Sequence, residues 1–458
     1  MQEKLSALID TFNYFFWNHC LFILLVVVGL LYTVKLRGVQ FKYFGYSLRL
    51  AFAKQSDSGD GEGDISQFQA LMTSLAATIG IASIAGVSTA IVAGGFGAIF
   101  WMWIIALIGM ATKFAEAILA VKFRKKDKNG EMCGGPMYYI EKGLGWKWLG
   151  VAFAVFGALA SFAGGNLIQS NSIAHAMNTL TGSSVIWVGI VLAFVTFLVL
   201  MRGIKTIGKV SSFLVPIMAL MYISAGFYII CMNYSQVPAV FSLIIKSAFN
   251  GQAAAGGFLG STVAMAIQYG IARGISSSEA GLGSAPIASA AAKTDVPGRQ
   301  AMISMIGTFL SVILVCSITA LVIGVTGVLG MVDTKGELMN GVALVMNAFN
   351  AVIPHGDIIV AIGVVLFGFS TIIGWAYYGE KCVEYLFQER SIIYFRLIFC
   401  VVVFLGSIMH LNLVWPIVDL TNGLMALPNL IALFGLATLV TKESNQFFNQ
   451  LALEKQTS

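Results

Sequence analysis

Two adjacent hydroxyl side chains, Ser370 and Thr371, lie deep in a long apolar stretch of this 458-residue chain. A hard cation such as sodium prefers oxygen ligands. The carbonyl of Phe367, one helical turn earlier, would give three oxygens on one helix. The alternative is that each hydroxyl bonds the carbonyl four residues before it, the usual arrangement for Ser and Thr in such helices. The pattern therefore indicates either a cation site or a locally satisfied helix.

Two other segments combine glycine with small side chains at the depth of a membrane span. They cover residues 76–86 and 270–286. Glycine costs about 1 kcal/mol relative to alanine inside a helix, and unwound backbone at membrane depth persists only where it lines a protein cavity. Taken alone, each segment is explained by close helix packing through small residues. The other interpretation is an interrupted helix whose free carbonyls bind a substrate and a cation.

The placement of these two segments favours interrupted helices. Each segment opens a block of five predicted helices, and an odd number makes the two blocks face opposite ways in the bilayer. Glycine-interrupted segments at corresponding positions of two inverted halves are typical of a transporter binding site. No aligned repeat is visible in the sequence, so the symmetry rests on the count of helices.

Polar side chains also occur on other predicted membrane helices. Asn166, Gln169 and Asn171 place three amides within six residues, which is costly in lipid unless they face protein or water. They indicate either a binding surface or a structural network between helices. Lys113 and Glu116 are three residues apart, so they can form a structural pair on one side of a helix.

The overall composition is that of a membrane protein. Hydrophobic residues make up 58% of the chain and charged residues only 10%, whereas a soluble domain has about 25% charged residues. This excludes a soluble enzyme, a nucleic-acid binder and a disordered chain. Six scattered cysteines without a CxxC pair argue against a disulfide framework or a zinc site. No HExxH, Walker, GxSxG or SxxK motif is present, so we predict that the protein is not an enzyme.

A spanning helix needs about 20 mostly apolar residues, and the sequence predicts an all-α polytopic fold with about eleven of them. They lie at residues 16–34, 67–93, 98–121, 148–177, 185–201, 210–232, 257–280, 301–325, 357–387, 393–411 and 414–440. We divide them into an extra N-terminal helix (16–34), a first five-helix block (67–232) and a second five-helix block (257–440).

The basic residues predict the orientation of these helices. If the N-terminus lies outside, every basic loop becomes cytoplasmic, as the positive-inside rule requires, and the C-terminus is cytoplasmic too. The net charge of +6 is then a signal of topology and not of a nucleic-acid partner. Short loops and the absence of eukaryotic targeting signals fit a multi-pass protein of a prokaryotic plasma (inner) membrane, with its first helix retained.

Several long motifs follow one another in a fixed order, at residues 100–116, 134–140, 279–286, 370–381 and 422–429. On these motifs the chain resembles the alanine-or-glycine:cation symporter family, which comprises sodium:alanine symporters and amino-acid carrier proteins. The resemblance extends from Phe68 to about Leu433.

The resemblance implies a leucine-transporter-type fold of five plus five inverted helices with one extra N-terminal helix. It also implies symport of a small neutral amino acid with sodium by alternating access, with no cofactor other than the coupling ion. The substrate residues it implies are Thr78, Gly80, Ile81, Gln169, Gly274, Ser276 and Trp375. The sodium ligands it implies are Gly80, Phe367, Ser370 and Thr371. The partners are thus a small neutral amino acid, sodium and the lipid bilayer, and the oligomeric state stays open.

The chain departs from the family pattern near the expected site. Residues 81–83 read Ile-Ala-Ser where the family has Thr-Gly-Asn, and Ser278 replaces an Asn. Gly307 and Ser311 stand where the family has a Glu and an Asp. We expect that Ile81 would narrow the pocket and that the lost carboxylates would change the coupling ion. The alternatives are a relative with a larger substrate such as glutamine, a proton-coupled carrier, or an amino-acid sensor without transport.

Overall fold

The computed structural model describes residues 13, 16–53, 61–252, 260–332, 336, 338–409 and 414–457. Most of these residues are helical, and a short antiparallel hairpin joins two of the helices. The start of the predicted helix 257–280 and the last two residues of the predicted helix 393–411 lie outside the described residues.

The first part of the chain alternates long helices with short ones. In order it contains α1 (Phe22–Lys35), α2 (Val39–Lys42), α3 (Phe44–Phe52), α4 (Gln67–Thr78), α5 (Ala85–Gly94), α6 (Gly97–Lys122), β1 (Lys125–Lys126), β2 (Met132–Cys133), α7 (Pro136–Tyr139), α8 (Lys147–Phe162), α9 (Ile168–Thr181), α10 (Val185–Leu200) and α11 (Ile204–Met232). A π-helical turn, Ala163–Leu167, joins α8 to α9, and another, Trp17–Leu21, leads into α1.

The second part of the chain is built in the same way. In order it contains α12 (Val237–Asn250), α13 (Val263–Ser278), α14 (Ala285–Ala290), α15 (Pro297–Thr308), α16 (Ser317–Thr326), α17 (Gly341–Asn350), α18 (Gly356–Phe387), α19 (Ile392–Ile408), α20 (Val414–Gly435) and α21 (Ala437–Thr457). A longer π-helical stretch, Phe309–Cys316, joins α15 to α16.

Seven continuous helical stretches in the described residues are long and apolar enough to cross a membrane. They are Gly97–Lys122, Lys147–Thr181, Ile204–Met232, Pro297–Thr326, Gly356–Phe387, Glu389–Ile408 and Ile417–Gly435. Large apolar side chains such as Phe194, Phe213 and Leu220 are 60–68% exposed, as expected of surfaces that face lipid and not water. The prediction of a helical multi-pass membrane protein is confirmed.

The first glycine-rich segment is an interrupted helix. Ser66 and Gln69 form a capping box that starts α4, because each side chain accepts a hydrogen bond from the backbone N–H of the other. After α4, Ile79 and Gly80 leave the helical conformation. The turn Ile81–Ser83 then leads into α5. The interruption lies inside the predicted segment 76–86.

The second glycine-rich segment is interrupted later than the sequence suggests. α13 runs unbroken through Gly270 and Gly274, where a Cβ atom would come within 2.6 Å of α6. These two glycines therefore serve close helix packing. The chain leaves the helix at Glu279, which has a φ of +54°, and Gly281 and Gly283 also have positive φ before α14 begins.

The structure corrects the boundaries of several predicted helices. The predicted last helix, 414–440, is two helices, because α20 ends at Gly435 and α21 continues from Ala437. The predicted helix 210–232 begins earlier, at Ile204. The short helices α2, α3, α12 and α17 were not predicted, because each is too short to cross a membrane.

The two interrupted helices cross antiparallel in the centre of the molecule. α4 contacts α14, and α5 contacts α13, so the first half of each interrupted helix packs against the second half of the other. α18 runs beside both α4 and α9. Two large clusters of buried apolar side chains surround this crossing, so both interruptions lie in the protein interior.

Candidate binding site

A cavity of about 60 Å³ lies where the two interruptions meet α9, α18 and α20. Of the seven residues predicted to bind substrate, five line this cavity: Thr78, Gly80, Gln169, Ser276 and Trp375. The cavity is also lined by Thr371, one of the predicted cation ligands. The structure thus brings together residues that lie nearly 300 positions apart in the sequence.

Two predicted substrate residues lie outside the cavity lining. Gly274 faces α6, where a Cβ atom would meet Ile105 at 2.6 Å. Ile81 is buried, and its side chain reaches toward Gly368 of α18, where a Cβ atom would meet Ile81 at 3.4 Å. Ile81 is therefore not among the residues that line this cavity, and its effect on the substrate pocket stays a prediction.

The hydroxyl pair on α18 faces the end of α4. Thr371 Oγ1 lies 2.8 Å from the carbonyl oxygen of Phe367 and 3.0 Å from that of Ala76. Ser370 Oγ lies 3.0 Å from the Phe367 oxygen and 3.3 Å from the Ala76 oxygen. Two hydroxyl and two carbonyl oxygens, contributed by two helices, are therefore gathered in one buried place.

The contacts of the hydroxyl pair have features of both interpretations, the cation site and the locally satisfied helix. The local bond from Thr371 to the carbonyl four residues earlier is present, yet both hydroxyls also face a carbonyl at the first interruption. Ala76 lies in the last turn of α4, where carbonyls lack helical partners. The carbonyl that faces the pair belongs to Ala76. The resemblance had implied Gly80 instead. A Cβ atom at Gly80 would meet Thr371 Oγ1 at 2.5 Å, so Gly80 permits the approach.

The π-helical turn between α8 and α9 positions Gln169. Its Nε2 donates to the carbonyl of Gly164 across the turn, at 3.1 Å. Its Oε1 faces the backbone N–H of Ile81 at 3.5 Å. Gly165, in the same turn, lies so close to Trp375 that a Cβ atom would come within 2.2 Å of its side chain. The turn thus places Gln169 at the first interruption and Gly165 against Trp375.

The other two amides of this helix are structural. Asn166 Nδ2 donates to the carbonyl of Phe399, and Asn171 Nδ2 donates to that of Gly406, each at 2.9 Å. Both acceptors lie on α19, so Asn166 joins the π-helical turn to α19 and Asn171 joins α9 to α19. The structural interpretation of the amide cluster therefore applies to Asn166 and Asn171, and the binding-surface interpretation stays a prediction for Gln169.

Buried charges hold the second interruption. Glu279 lines the cavity and accepts a hydrogen bond from Ser284 Oγ at 2.6 Å. Glu116 on α6 accepts from Asn429 Nδ2 at 2.7 Å and from the backbone N–H of Gly283 at 3.2 Å. Lys113 is buried and interacts electrostatically with both carboxylates. Lys113 therefore interacts with Glu279 as well as with Glu116, its predicted partner.

α20 forms one side of the cavity, and sequence reasoning did not predict this. Val418, Asp419 and Asn422 line the cavity, together with Ile168 from α9 and Arg273 from α13. A polar Asp-Leu-Thr-Asn run inside an apolar helix was the available signal, because such side chains in a span usually face the protein interior. The backbone carbonyl of Asp419 also accepts from Trp17 Nε1 at 2.9 Å.

Two crossed interrupted helices around a buried cavity, in a multi-pass membrane protein, are typical of a membrane carrier. The chain belongs to the sodium:alanine symporter family, whose family profile matches residues 2–458. Its relatives are transporters, and the protein is a transporter and not an enzyme.

Individual relatives cover nearly the whole chain. The chain is 50% identical over 448 residues to the sodium/alanine symporter AgcS of Methanococcus maripaludis, covering 96% of this chain and 97% of that protein. It is 36% identical to the probable sodium/glutamine symporter GlnT of Bacillus subtilis, covering 96% and 90%. Among solved structures, MhsT in complex with L-phenylalanine aligns with a TM-score of 0.57 at 15% identity, covering 84% of this chain and 93% of that one. That last similarity concerns the fold.

Proposed function

We propose that the protein is a secondary transporter that moves a small neutral amino acid, such as alanine or glycine, together with sodium by alternating access. The observation that carries this proposal is the set of four buried oxygens, from Ala76, Phe367, Ser370 and Thr371, beside the first interruption. Membership of the sodium:alanine symporter family supports it.

The oxygen set suits sodium. Two hydroxyls and two carbonyls are neutral oxygen donors, which hard cations prefer. Both hydroxyls are buried, and the Ala76 carbonyl lies in the last turn of α4, at the negative end of that helix's dipole. When sodium binds, the two hydroxyl protons would turn away from the carbonyls, so all four oxygens could face the ion.

The neighbouring cavity suits an amino acid in its zwitterionic form. The N-terminus of α5 offers partial positive charge to a carboxylate, and the C-terminus of α4 offers partial negative charge to an ammonium group. Gln169 presents its amide between them. Trp375, Ile168 and Val418 provide apolar surface for the substrate side chain, and the small volume favours a short one.

Sodium is favoured over an altered coupling ion by the position of the departures from the family pattern. Gly307 and Ser311 lie outside the cavity lining. A Cβ atom at Gly307 would meet only Leu71 and Leu75, at 3.6 and 3.8 Å, and Ser311 Oγ donates to the carbonyl of Thr308. These residues do not touch the four oxygens, so the missing carboxylates leave that set intact.

Glutamine is the second candidate substrate. The relative GlnT, a probable sodium/glutamine symporter, covers nearly the whole chain. The cavity also carries polar groups, Asn422 and Ser276, that a side-chain amide could bond. Alanine or glycine remains the first candidate because the relative AgcS, a sodium/alanine symporter, is more similar to this chain.

The membrane topology is part of the proposal. Eleven spans, arranged as one N-terminal helix (16–34) and two inverted blocks (67–232 and 257–440), are supported by the antiparallel contacts of α4 with α14 and of α5 with α13. The basic loops support an N-terminus outside and a C-terminus in the cytoplasm of a prokaryotic cell.

The test is uptake of a panel of labelled amino acids into proteoliposomes, with an imposed sodium gradient, an imposed proton gradient, or neither. We expect saturable uptake of alanine or glycine that requires sodium outside. Uptake driven by a proton gradient alone would replace sodium by protons in the proposal. Amino-acid binding without uptake under any gradient would indicate a sensor and contradict transport.

A further inference from the structure

One arginine joins the two interrupted helices at a single face of the molecule. Arg124 follows the end of α6, and its guanidinium donates to four backbone carbonyls, with N···O distances between 2.5 and 3.0 Å. The acceptors are Glu62, Ala290, Ala292 and Thr294. Glu62 precedes α4, whereas the other three belong to the end of α14 and the segment after it. We call Arg124 and these four carbonyls the clasp.

The two segments in the clasp also bond each other. Lys293 N donates to the carbonyl of Ile65 at 2.8 Å, and Asp64 N donates to that of Ala291 at 2.8 Å. Gly63 has a φ of +159°, and a Cβ atom there would lie 2.4 Å from the backbone of Lys293. The two backbones approach so closely that only glycine fits at this position.

The hairpin closes the same face. The Asp64 carboxylate accepts a hydrogen bond from the backbone N–H of Met132 on β2 at 2.8 Å, and burial raises the pKa of that carboxyl. Lys126 on β1 forms an ion pair with Glu62 at 2.6 Å, with both side chains more than half exposed. Arg124 is far more buried, since its side chain is 9% exposed.

The clasp lies one helix length from the substrate cavity. α4 has 12 residues, about 18 Å at 1.5 Å per residue, and it runs from the clasp segment to the cavity at Thr78. α14 likewise runs from the second interruption to the clasp. For α4 and α14 to move apart at this face, the hydrogen bonds to Arg124 must break together with the backbone bonds between the two segments.

We propose that Arg124 is a positioning residue for transport, whose clasp holds the hairpin face closed and whose release opens the cavity to that face. This inference rests on the proposed alternating access. Arginine suits the role because its planar, forked guanidinium presents five donors in fixed directions. A lysine has its three donors on one nitrogen, so it cannot reach all four carbonyls at these distances.

Cys133 on β2 is a native reporter of the clasp. It is fully buried, its thiol donates to Glu384 Oε1 at 2.9 Å, and burial raises the pKa of the thiol. A closed face therefore keeps Cys133 slow to react with a maleimide, and an open face exposes it to water. Cys20 and Cys231 are the exposed cysteines of the described residues, so both are replaced by serine in the test background.

The test compares Arg124→Gln and Arg124→Lys with the control Lys126→Gln in lipid nanodiscs, using a membrane-impermeant maleimide. We expect Arg124→Gln to increase the labelling rate of Cys133 at least about tenfold, Arg124→Lys to increase it less, and Lys126→Gln to leave it unchanged, since exposed ion pairs contribute little. Gly63→Ala, which forces the two backbones apart without touching Arg124, should also increase labelling.

The same variants separate positioning from a purely structural role. A clasp variant spends less time open to the opposite face. The apparent KM for substrate offered at that face should therefore rise, because apparent affinity scales with the fraction of protein that can bind. The variant should keep its thermal midpoint of unfolding. Unchanged Cys133 labelling in folded Arg124→Gln and Gly63→Ala proteins would overturn the clasp, as would labelling that rises only in variants with a lowered thermal midpoint. Labelling needs no transport assay, so a failure of the proposed function would show instead as absent uptake by the unmodified protein.

Discussion

Ser370 and Thr371 illustrate how much single residues can reveal. Their adjacency in an apolar helix identified a possible cation site from the sequence, and the carbonyl of Phe367 was named with them. The partner across the interface, Ala76, was not foreseen, because the kink between α4 and α5 decides which carbonyl turns toward α18. The hydroxyls lie 2.8–3.3 Å from the two carbonyls.

Replacing Thr371 by alanine should weaken the dependence of uptake on sodium. One of four oxygens is lost, and hydrogen bonds to charged groups are worth about 1.5–3 kcal/mol, so half-maximal uptake should need about tenfold more sodium or higher. Thr371→Ser should restore most of the affinity. Thr196→Ala is the matched control, since Thr196 is also buried and bonds the carbonyl four residues earlier, but on α10. Identical sodium curves for Thr371→Ala and the unmodified protein would remove the cation assignment.

Replacing Gln169 by alanine should weaken substrate binding and leave sodium binding largely intact. The amide lines the cavity and faces the first interruption, and an uncharged hydrogen bond is worth about 0.5–1.5 kcal/mol. The KM for alanine should therefore rise about two- to tenfold. Asn178→Ala, on the same helix but bonded to Ser183 in an exposed position, is the control. An equal KM for both variants would show that Gln169 does not contact substrate.

Among the site residues, polar and aromatic side chains were predictable from the sequence, whereas the contacts of glycine and aliphatic residues were not. Gln169 and Trp375 carry amide and aromatic groups that sequence reasoning and the family resemblance could point to. Gly274 packs against α6, outside the cavity lining, and this was not foreseen because a glycine that packs against a helix and one that opens a helix look alike in sequence. Val418 was missed because an apolar residue in an apolar span carries no signal of what it faces.

At the scale of the elements, the interruptions and the π-helical turns decide where side chains meet. The first interruption was predictable, since glycine and small residues coincide there with membrane depth. The π-helical turn Ala163–Leu167 was not, because one extra residue per turn leaves no reliable pattern in the sequence. This turn nevertheless sets the contact between Gly165 and Trp375.

Replacing Gly165 by alanine should destabilise the protein. The added Cβ atom would lie 2.2 Å from Trp375, and overpacking of this kind typically costs about 1–3 kcal/mol. Thermal unfolding in detergent should show a lower midpoint, and uptake should fall because α9 and α18 are pushed apart. Gly45→Ala in α3 is the control, since a Cβ atom there meets nothing within 4 Å. A midpoint for Gly165→Ala at or above that of Gly45→Ala would contradict the close contact.

The positions of the seven continuous apolar stretches were easier to predict than the limits of the helices. Hydrophobic length marks where a chain can cross a bilayer, so all seven continuous apolar stretches had been predicted as spans. It does not mark helices that lie along the surface or continue past the membrane. α21 follows α20 after a single residue, and a window of apolar residues cannot separate them.

At the scale of the whole molecule, the four gathered oxygens and the cavity lie next to each other at one interruption. Thr371 belongs to both sets, since it lines the cavity and faces Ala76. Ligands that share a wall in this way should bind cooperatively, because each one orders the same backbone. In the proposed function, this shared wall couples the movement of sodium to that of an amino acid.

The most direct test of this account is equilibrium binding of radioactive sodium to the purified protein, with and without saturating alanine. Coupling between two sites is reciprocal, so alanine should raise the affinity for sodium by the same factor by which sodium raises the affinity for alanine. We predict a factor of about 5 to 150, the usual range of such coupling, and its loss in Thr371→Ala. Sodium binding that is the same with and without alanine would contradict a shared site for ion and substrate.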